Sequence, residues 1–277
     1  MRILALRSIV LFFRDRAAVC LSGLTELILV GLYALFLRKN LLAALPQLEN
    51  AALLLDVWMT AGVLGVSPVT AAIAVCGVMV DDRVKGIDRD FRISPAGAAS
   101  RLCGYWLAAA CVGFLTSFLL LLAGAGYIAR RYGVRLGAGN IPAVWLELLL
   151  SAAANAAYAA LPVTFLKSGG ALAGFCSVSG ALIGFLTGIY LPVGTLPAGV
   201  RWIVVRFPTA HAAALLRQSL LSPLLPESAV GAEAARYLGV WYEWNGHPVP
   251  VWGSALLLAL SAGLCLLTAC AKTYAEE

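Results

Sequence analysis

The chain alternates long apolar runs with short polar segments. Six of the runs approach or exceed the roughly 20 apolar residues that a helix needs to cross the hydrocarbon core of a bilayer. They are Ala17–Leu37, Val57–Val80, Leu102–Ile128, Ala143–Leu166, Ala171–Leu191 and Val249–Ala271. The pattern therefore predicts an all-α, polytopic membrane protein, with a single transmembrane domain over residues 1–277 and six spanning helices.

Two shorter segments have a different pattern. Over residues 1–16, arginines alternate with apolar residues, which is typical of a basic helix lying in the membrane interface. The alternative is a positive flank that only fixes topology. Over residues 192–225, Pro192, Pro197 and Pro208 interrupt a chain that is too apolar for an ordinary loop. Because proline breaks helices and the pieces between are too short to span, we expect an external re-entrant helical hairpin, with a surface hairpin as the alternative.

Composition and charge set the orientation. Hydrophobic residues make up 61% of the chain and charged residues 12%, with a net charge of +6. The basic residues lie between the apolar runs, so they predict topology rather than nucleic-acid binding. Eleven lie on the side of the N-terminus and five on the short loops opposite. The positive-inside rule then places both termini in the cytoplasm, and we expect the bacterial cytoplasmic membrane.

Few polar residues fall inside the predicted spans. Glu26 lies in the middle of the first, where a carboxylate is costly and usually faces a cavity or a partner. It either contacts substrate or is protonated and hydrogen-bonded within the bundle. Gly180, Gly184 and Gly188 recur every four residues in the fifth span. On a regular helix they share one face and permit close packing, within the chain or in a dimer.

The polar segment over residues 81–101 follows the second span on the cytoplasmic side. Its charges alternate in sign, and Asp88 and Arg92 are spaced to pair on a short helix. The segment is either a plain connector or a docking surface for a cytoplasmic partner. The candidate docking residues are Asp81, Asp82, Arg83, Lys85, Gly86, Asp88, Arg89 and Arg92.

Several chemical motifs are missing from the sequence. There is no GxxxxGK[ST] phosphate-binding loop and no GxSxG or HExxH sequence. His211 and His247 are not spaced with cysteines as metal ligands. We therefore expect no catalytic residue, no metal site and no cofactor in this chain.

The stretch "FPTAHAAALLR" (Phe207–Arg217) resembles the signature of type 2 ABC exporter permeases. In that signature a proline is followed after three residues by a residue such as histidine, and after six more by arginine or glutamine. The matching residues are Pro208, His211 and Arg217, preceded by Ile183, Leu186, Thr187, Ile189, Leu196 and Pro197, while Gly180 departs from the pattern. The segment "DDRVKG…SP" (Asp81–Pro95) is similar to the family's coupling loop, although two aspartates replace the usual glutamate. The six spans and the interrupted segment before the last also resemble that family.

The resemblance implies a dimer with a second permease subunit, the same or homologous, and two ABC ATPase subunits that bind ATP and Mg. The Asp81–Pro95 loop and the N-terminal helix would contact the ATPase. Spans one, two and five would line the substrate route, near Glu26, Tyr33, Gly180, Gly184 and Gly188. The few aromatic residues in spans one and two favour a lipophilic or amphipathic substrate, such as a drug, antibiotic or lipid.

Alternatives to this function are a polysaccharide or glycolipid exporter permease and, less in keeping with the sequence, a secondary transporter. In the interrupted segment, Arg201, Arg206 and Arg217 are expected to reach outward to headgroups or solvent.

Overall fold

A computed structural model describes residues 1–93, 97–136, 140–244 and 247–275, with the side chain of Arg92 left aside. The described residues are almost entirely helical. The helices are α1 (Arg2–Arg14), α2 (Arg16–Leu32), α3 (Arg38–Ala44), α4 (Ala51–Val84), α5 (Ile87–Arg92), α6 (Ala98–Tyr132), α7 (Ile141–Phe165), α8 (Gly169–Leu186), α9 (Ala198–Arg206), α10 (Pro208–Leu221), α11 (Ala229–Tyr237) and α12 (Val251–Tyr274). A π turn over Tyr33–Leu37 joins α2 to α3, and a small antiparallel ribbon pairs β1 (Glu243–Trp244) with β2 (His247–Pro248).

Six of the helical segments are long and apolar enough to cross a membrane, as the sequence predicted. They are Arg16–Ala44, Ala51–Val84, Ala98–Tyr132, Ile141–Phe165, Gly169–Leu186 and Val251–Tyr274. The chain is thus an all-α polytopic integral membrane protein. The end of the bundle that carries both chain termini is called the inner end below, after the predicted orientation, and the opposite end is called the outer end.

The predicted ends of the spans were less accurate than their number. The first continues to Ala44 through the π turn, and α4 and α6 extend beyond the predicted second and third spans at both ends. In α4, two of the charged residues in these extensions are paired with neighbouring segments, Asp56 with Arg38 and Asp82 with Arg7. The fifth ends early, at Leu186, because Gly188 adopts a left-handed conformation with φ of 66°.

Helix α4 forms the centre of the bundle and packs against α6, α7 and α10. Small residues allow this central position. A Cβ atom at Gly65 would lie only 2.7 Å from the Cα atom of Ala213 in α10, and one at Gly113 would lie 3.2 Å from the Cα atom of Pro68. Helices α2 and α8 pack on α4 from the outside and leave most of their surface exposed.

Candidate functional site

The three prolines of the interrupted segment begin short helical pieces. Pro192 precedes a 3-10 turn, Pro197 precedes α9, and Pro208 is the first residue of α10. Proline is tolerated at such positions because the first amides of a helix have no partner within it. The segment therefore forms the two-helix hairpin that the prolines predicted. Its second helix, α10, packs against α4, α7 and α12.

His211 fastens this hairpin to the last span. The side chain is fully buried, with Nε2 at 2.8 Å from the Val205 carbonyl oxygen and Nδ1 at 3.0 Å from the Ser254 hydroxyl. A carbonyl can only accept, so Nε2 donates to Val205 and Nδ1 accepts from Ser254. The ring also meets the ring of Tyr242 edge to face, with centroids 5.2 Å apart. One side chain thus connects α9, α10 and α12.

Arg217 does not reach outward, so that expectation was wrong. Its side chain is fully buried because α10 lies with this face against α4. The guanidinium lies over the ring of Trp58, 4.9 Å from its centroid, and Nη2 donates to the Gly188 carbonyl at 3.2 Å. Nε and Nη1 have no hydrogen-bond partner among the described residues. Arg217 is therefore a buried cation without a carboxylate in the described part of the chain.

The other two arginines of this segment do lie at the surface. Arg201 and Arg206 are exposed. The guanidinium of Arg206 stacks over Trp202, 4.2 Å from the ring centroid, and is also near Trp244. Stacking of this kind fixes a basic group at the apolar edge of the outer end.

The glycine spacing of the fifth span does not produce one glycine face. Helix α8 ends before Gly188, which lies in the following turn with a positive φ. Gly184 instead makes room for the ring of Tyr190, and a Cβ atom at Gly180 would have no neighbour within 4 Å. The prediction of a face shared by all three glycines was wrong for Gly188, because the regular helix ends at Leu186.

Glu26 faces the bundle. Its side chain is 7% exposed, and Oε1 accepts a hydrogen bond of 2.9 Å from the Thr70 hydroxyl of α4. No described atom bonds to Oε2. A carboxyl with one satisfied and one unsatisfied oxygen, between α2 and α4, is a candidate contact for a hydroxyl or cationic group.

A second polar group at the outer end was missed by the sequence reasoning. Asp56 is 4% exposed in the first part of α4 and connects three helical segments. Its carboxylate accepts hydrogen bonds from Tyr33 at 2.8 Å, Arg38 at 2.9 Å, Tyr127 at 3.3 Å and Tyr132 at 2.6 Å. These five side chains are called the Asp56 cluster. Only Tyr33 was a predicted site residue, because a second span starting at Val57 left Asp56 in a loop. The signal was an aspartate inside the apolar run "AALLLDVW".

At the inner end, Asp82 lies inside the bundle. It is 2% exposed and forms a two-pronged ion pair with Arg7 of α1, both N–O distances being 2.7 Å. The hydroxyl of Tyr105 in α6 donates to the same carboxylate at 2.6 Å. Hydrogen bonding to Asp82 raises the pKa of Arg7 above its ordinary value, so this arginine is charged at any physiological pH. The prediction that Asp82 is a docking residue was therefore wrong, because its buried carboxylate joins α1 to α4 and α6.

The remaining docking candidates divide into internal and surface groups. Arg83 caps the end of α7, where Nη1 donates to the carbonyl oxygens of Thr164 and Leu166 at 2.9 and 3.0 Å. Gly86 turns the chain with φ of 76° into α5, the short helix expected around Asp88, which includes Arg89 and ends at Arg92. Asp81, Lys85, Arg89 and Asp90 are exposed. Ser94 and Pro95 of the predicted coupling loop lie outside the described residues.

Helix α5 is connected to α1 as well. The guanidinium of Arg7 lies 5.5 Å from the centroid of the Phe91 ring, and Arg101 donates to the Phe91 carbonyl at 3.3 Å. Arg7 therefore contacts α4, α5 and α6 together. Helix α1, the end of α4 and α5 are thus packed together, and this region is called the inner corner.

The chain matches no family model and no curated protein. Within the described ranges, no three histidine, cysteine or acidic side chains are grouped to hold a metal. The functional conclusion must therefore be drawn from the helices, the hairpin and the inner corner.

Proposed function

We propose that this chain is the membrane permease subunit of an ATP-driven exporter of the type 2 ABC class. It would move a lipophilic or amphipathic substrate outward, with ATP hydrolysed by separate subunits. The observation that carries the proposal is the hairpin of α9 and α10. Its second helix is largely buried, bears the Pro208, His211 and Arg217 pattern and is attached to the last span.

The hairpin fits a re-entrant element by length and by burial. Helix α9 has 9 residues and α10 has 14. At 1.5 Å per residue they are about 14 and 21 Å long, too short for a hydrocarbon core of about 30 Å. Broken backbone at membrane depth requires shielding by protein, and α10 has it from α4, α7 and α12. Such an element would close the outer end of a transport route.

The inner corner fits a docking surface for an ATPase. Its exposed charges carry both signs and lie at the end of α4 and on α5, which meet at Gly86 and contact α1 through Arg7. Because α1, α4, α5 and α6 are joined there, a displacement of α5 would be passed to the central helix of the bundle. This supports conversion of ATPase movement into rearrangement around α4.

The substrate route would follow the face of α4 that meets α2, where Glu26 contacts Thr70. The exposed surfaces of α2 and α8 are where a second permease subunit would pack. A carboxyl at this depth would bind a hydroxyl or amine of an amphipathic substrate and leave its apolar part to the surrounding side chains.

The proposal is tested by co-purification with the P-loop ATPase encoded in the neighbouring reading frame. Reversal of exposed inner charges, Asp81→Lys with Asp90→Lys, should lower the retained ATPase by about tenfold or more, as expected for several lost charge contacts. The matched control, Glu227→Lys with Glu233→Lys, changes two acidic residues near the outer end and should retain it. If the unmodified chain retains no ATPase and stimulates none in liposomes, the proposal is wrong.

A further inference from the structure

A cavity of about 390 Å³ opens on the side of the bundle in its outer half. It lies between α2, α4 and α6, away from α10, and is called the outer groove. Its volume is within the range of small-molecule sites. On α6 its wall runs from Leu120 to Tyr127, which corresponds to about 10 Å along the helix axis. The groove is therefore elongated along the spanning helices.

The two ends of the outer groove differ in chemistry. Towards the middle of the bundle the walls are apolar, with Val30, Val63 and Leu120. At the outer end they are formed by Asp56, Arg38, Tyr33 and Tyr127, all members of the Asp56 cluster. A site that is apolar along its length and polar at one end matches an amphiphile lying along the helices, head outward.

The polar end is built by the π turn. Positions five apart on a regular α-helix, such as Tyr33 and Arg38, differ by about 140° around the axis. The extra residue in the π turn, closed by the bond from the Arg38 amide to the Tyr33 carbonyl, brings both side chains onto Asp56. Turns of this type often mark functional sites. The Asp56 charge is then neutralised by Arg38, so the cluster offers no unpaired carboxylate to a cation.

The surroundings of the polar end are basic. Lys39 follows Arg38, and Arg130 and Arg131 lie one turn beyond Tyr127 on α6. All three side chains are exposed, and none forms an ion pair within the described part of the chain. Arg38 itself uses Nε and Nη2 on Asp56 and Tyr132. The excess of positive charge at headgroup depth favours an anionic head over a zwitterionic one.

We propose that the outer groove binds an anionic phospholipid from the outer leaflet. One acyl chain lies on α4 between α2 and α6, and the phosphate lies at Arg38 beside Lys39 and Arg131. This site is separate from the proposed transport route at Glu26. It does not depend on ATP or on the exporter assignment.

The first test is native mass spectrometry of the full chain in micelles containing phosphatidylglycerol or phosphatidylcholine with the same acyl chains. Phosphatidylglycerol adducts should exceed phosphatidylcholine adducts by about fivefold or more, the factor expected for one basic side chain at the head. Equal retention of the two lipids would overturn the proposal. Lys39→Gln with Arg131→Gln should reduce this preference and leave phosphatidylcholine retention unchanged.

A matched pair of variants locates the acyl chain. Ala123 lines the groove, whereas Ala129 is an exposed alanine on the same helix that does not. Ala123→Phe should lower phosphatidylglycerol retention by about tenfold, because the ring occupies the place of the chain. Ala129→Phe should leave retention unchanged. Headgroup-selective retention that survives Ala123→Phe would place the lipid elsewhere and overturn the proposal.

A second pair decides the question if Ala123→Phe does not fold. In the π turn, Ala34 lines the groove and Leu35 is 77% exposed outside it. Ala34→Phe should lower retention and Leu35→Phe should not. Size-exclusion chromatography identifies variants that are folded. Equal retention in this pair, in folded protein, contradicts binding in the groove.

Discussion

Helices α4 and α8 are both apolar enough to span a membrane, but α4 lies at the centre of the bundle and α8 at its periphery. Their most apolar windows have mean hydropathies of 2.2 and 1.7, yet 83% of the first window is buried and 11% of the second. Both contain glycine. In α4, Gly65 lies against the backbone of α10, whereas Gly180 in α8 has no neighbour within 4 Å. Hydropathy selects a helix for the bilayer, and the neighbours of its small residues decide its place in the bundle.

The strongest test of this comparison is a matched pair of glycine substitutions. Gly65→Leu should lower the free energy of unfolding by about 3 kcal/mol or more, because the new side chain would overlap the backbone at Ala213. Gly180→Leu should change it by less than about 0.5 kcal/mol, as for a surface position. Thermal unfolding followed by size-exclusion chromatography measures both. Similar losses in the two variants would show that α8 is as tightly packed as α4.

Gly180→Leu also sharpens the proposed role of α8. If α8 contributes to the interface with a second permease subunit, the variant should shift the protein towards monomer while the monomer stays folded. Crosslinking in liposomes measures the shift. An unchanged dimer fraction would remove Gly180 from the interface.

The next effect in size concerns the ends of α4. Arg7→Met should lower the free energy of unfolding by about 2 kcal/mol, because it leaves the Asp82 carboxylate buried with Tyr105 as its one side-chain partner among the described residues. This is below the usual cost of a broken buried pair, since Arg7 is about one-third exposed. Arg14→Met on the same helix is the control and should have little effect. Denaturant titration of both variants provides the measurement, and equal midpoints would contradict the role of the pair.

A smaller effect of opposite sign is expected where α4 meets α10. Arg217→Met should leave the free energy of unfolding unchanged or raise it by about 1 kcal/mol, because it removes a buried charge with two unsatisfied nitrogens. Transport should nevertheless fall if Arg217 serves the outer closure. Unfolding and transport are measured on the same preparation, with Arg206→Met as the exposed control. A loss of stability of about 2 kcal/mol would instead make Arg217 a structural residue.

The smallest expected effect on stability is at Glu26 in the peripheral helix α2. Glu26→Gln keeps an acceptor for Thr70, so the free energy of unfolding should change by about 0.5 kcal/mol or less. The substrate range should change, because a cationic or hydroxyl group would lose its carboxyl contact. ATPase stimulation across a panel of amphiphiles is the measurement. If the same amphiphiles stimulate the ATPase in the variant, Glu26 has only a packing role.

The sequence was sufficient for the six spans and the hairpin, since both follow from local properties. Apolar length predicts a spanning helix wherever it lies, and Pro192, Pro197 and Pro208 predict interruptions of a helix through their own backbone. The interrupted segment could therefore be described before any contact was known. The same local reasoning placed Gly188 wrongly on a regular helix, because nothing in the four-residue spacing indicates where α8 ends.

What could not be predicted depends on partners far along the chain. Asp82 was assigned to a docking surface because its local surroundings are charged, but Arg7 lies 75 residues away. Arg217 was expected outside because an arginine among apolar residues usually reaches water, and only the position of α4 shows otherwise. Asp56 was missed for a related reason: its four partners come from the regions before and after α4, and no local pattern joins them.

The Arg7 ion pair has a consequence for the order in which the protein assembles. Arg7 in α1 leaves the ribosome before its partner Asp82, which is synthesised 75 residues later. At roughly 5–20 residues per second, this corresponds to a delay of about 4–15 s, before α6 adds Tyr105. During that interval α1 can pack on α2, the next helix along the chain, and its apolar and basic residues suit it to the membrane surface. Helix α1 therefore completes its ion pair only after α4 and α6 have been synthesised.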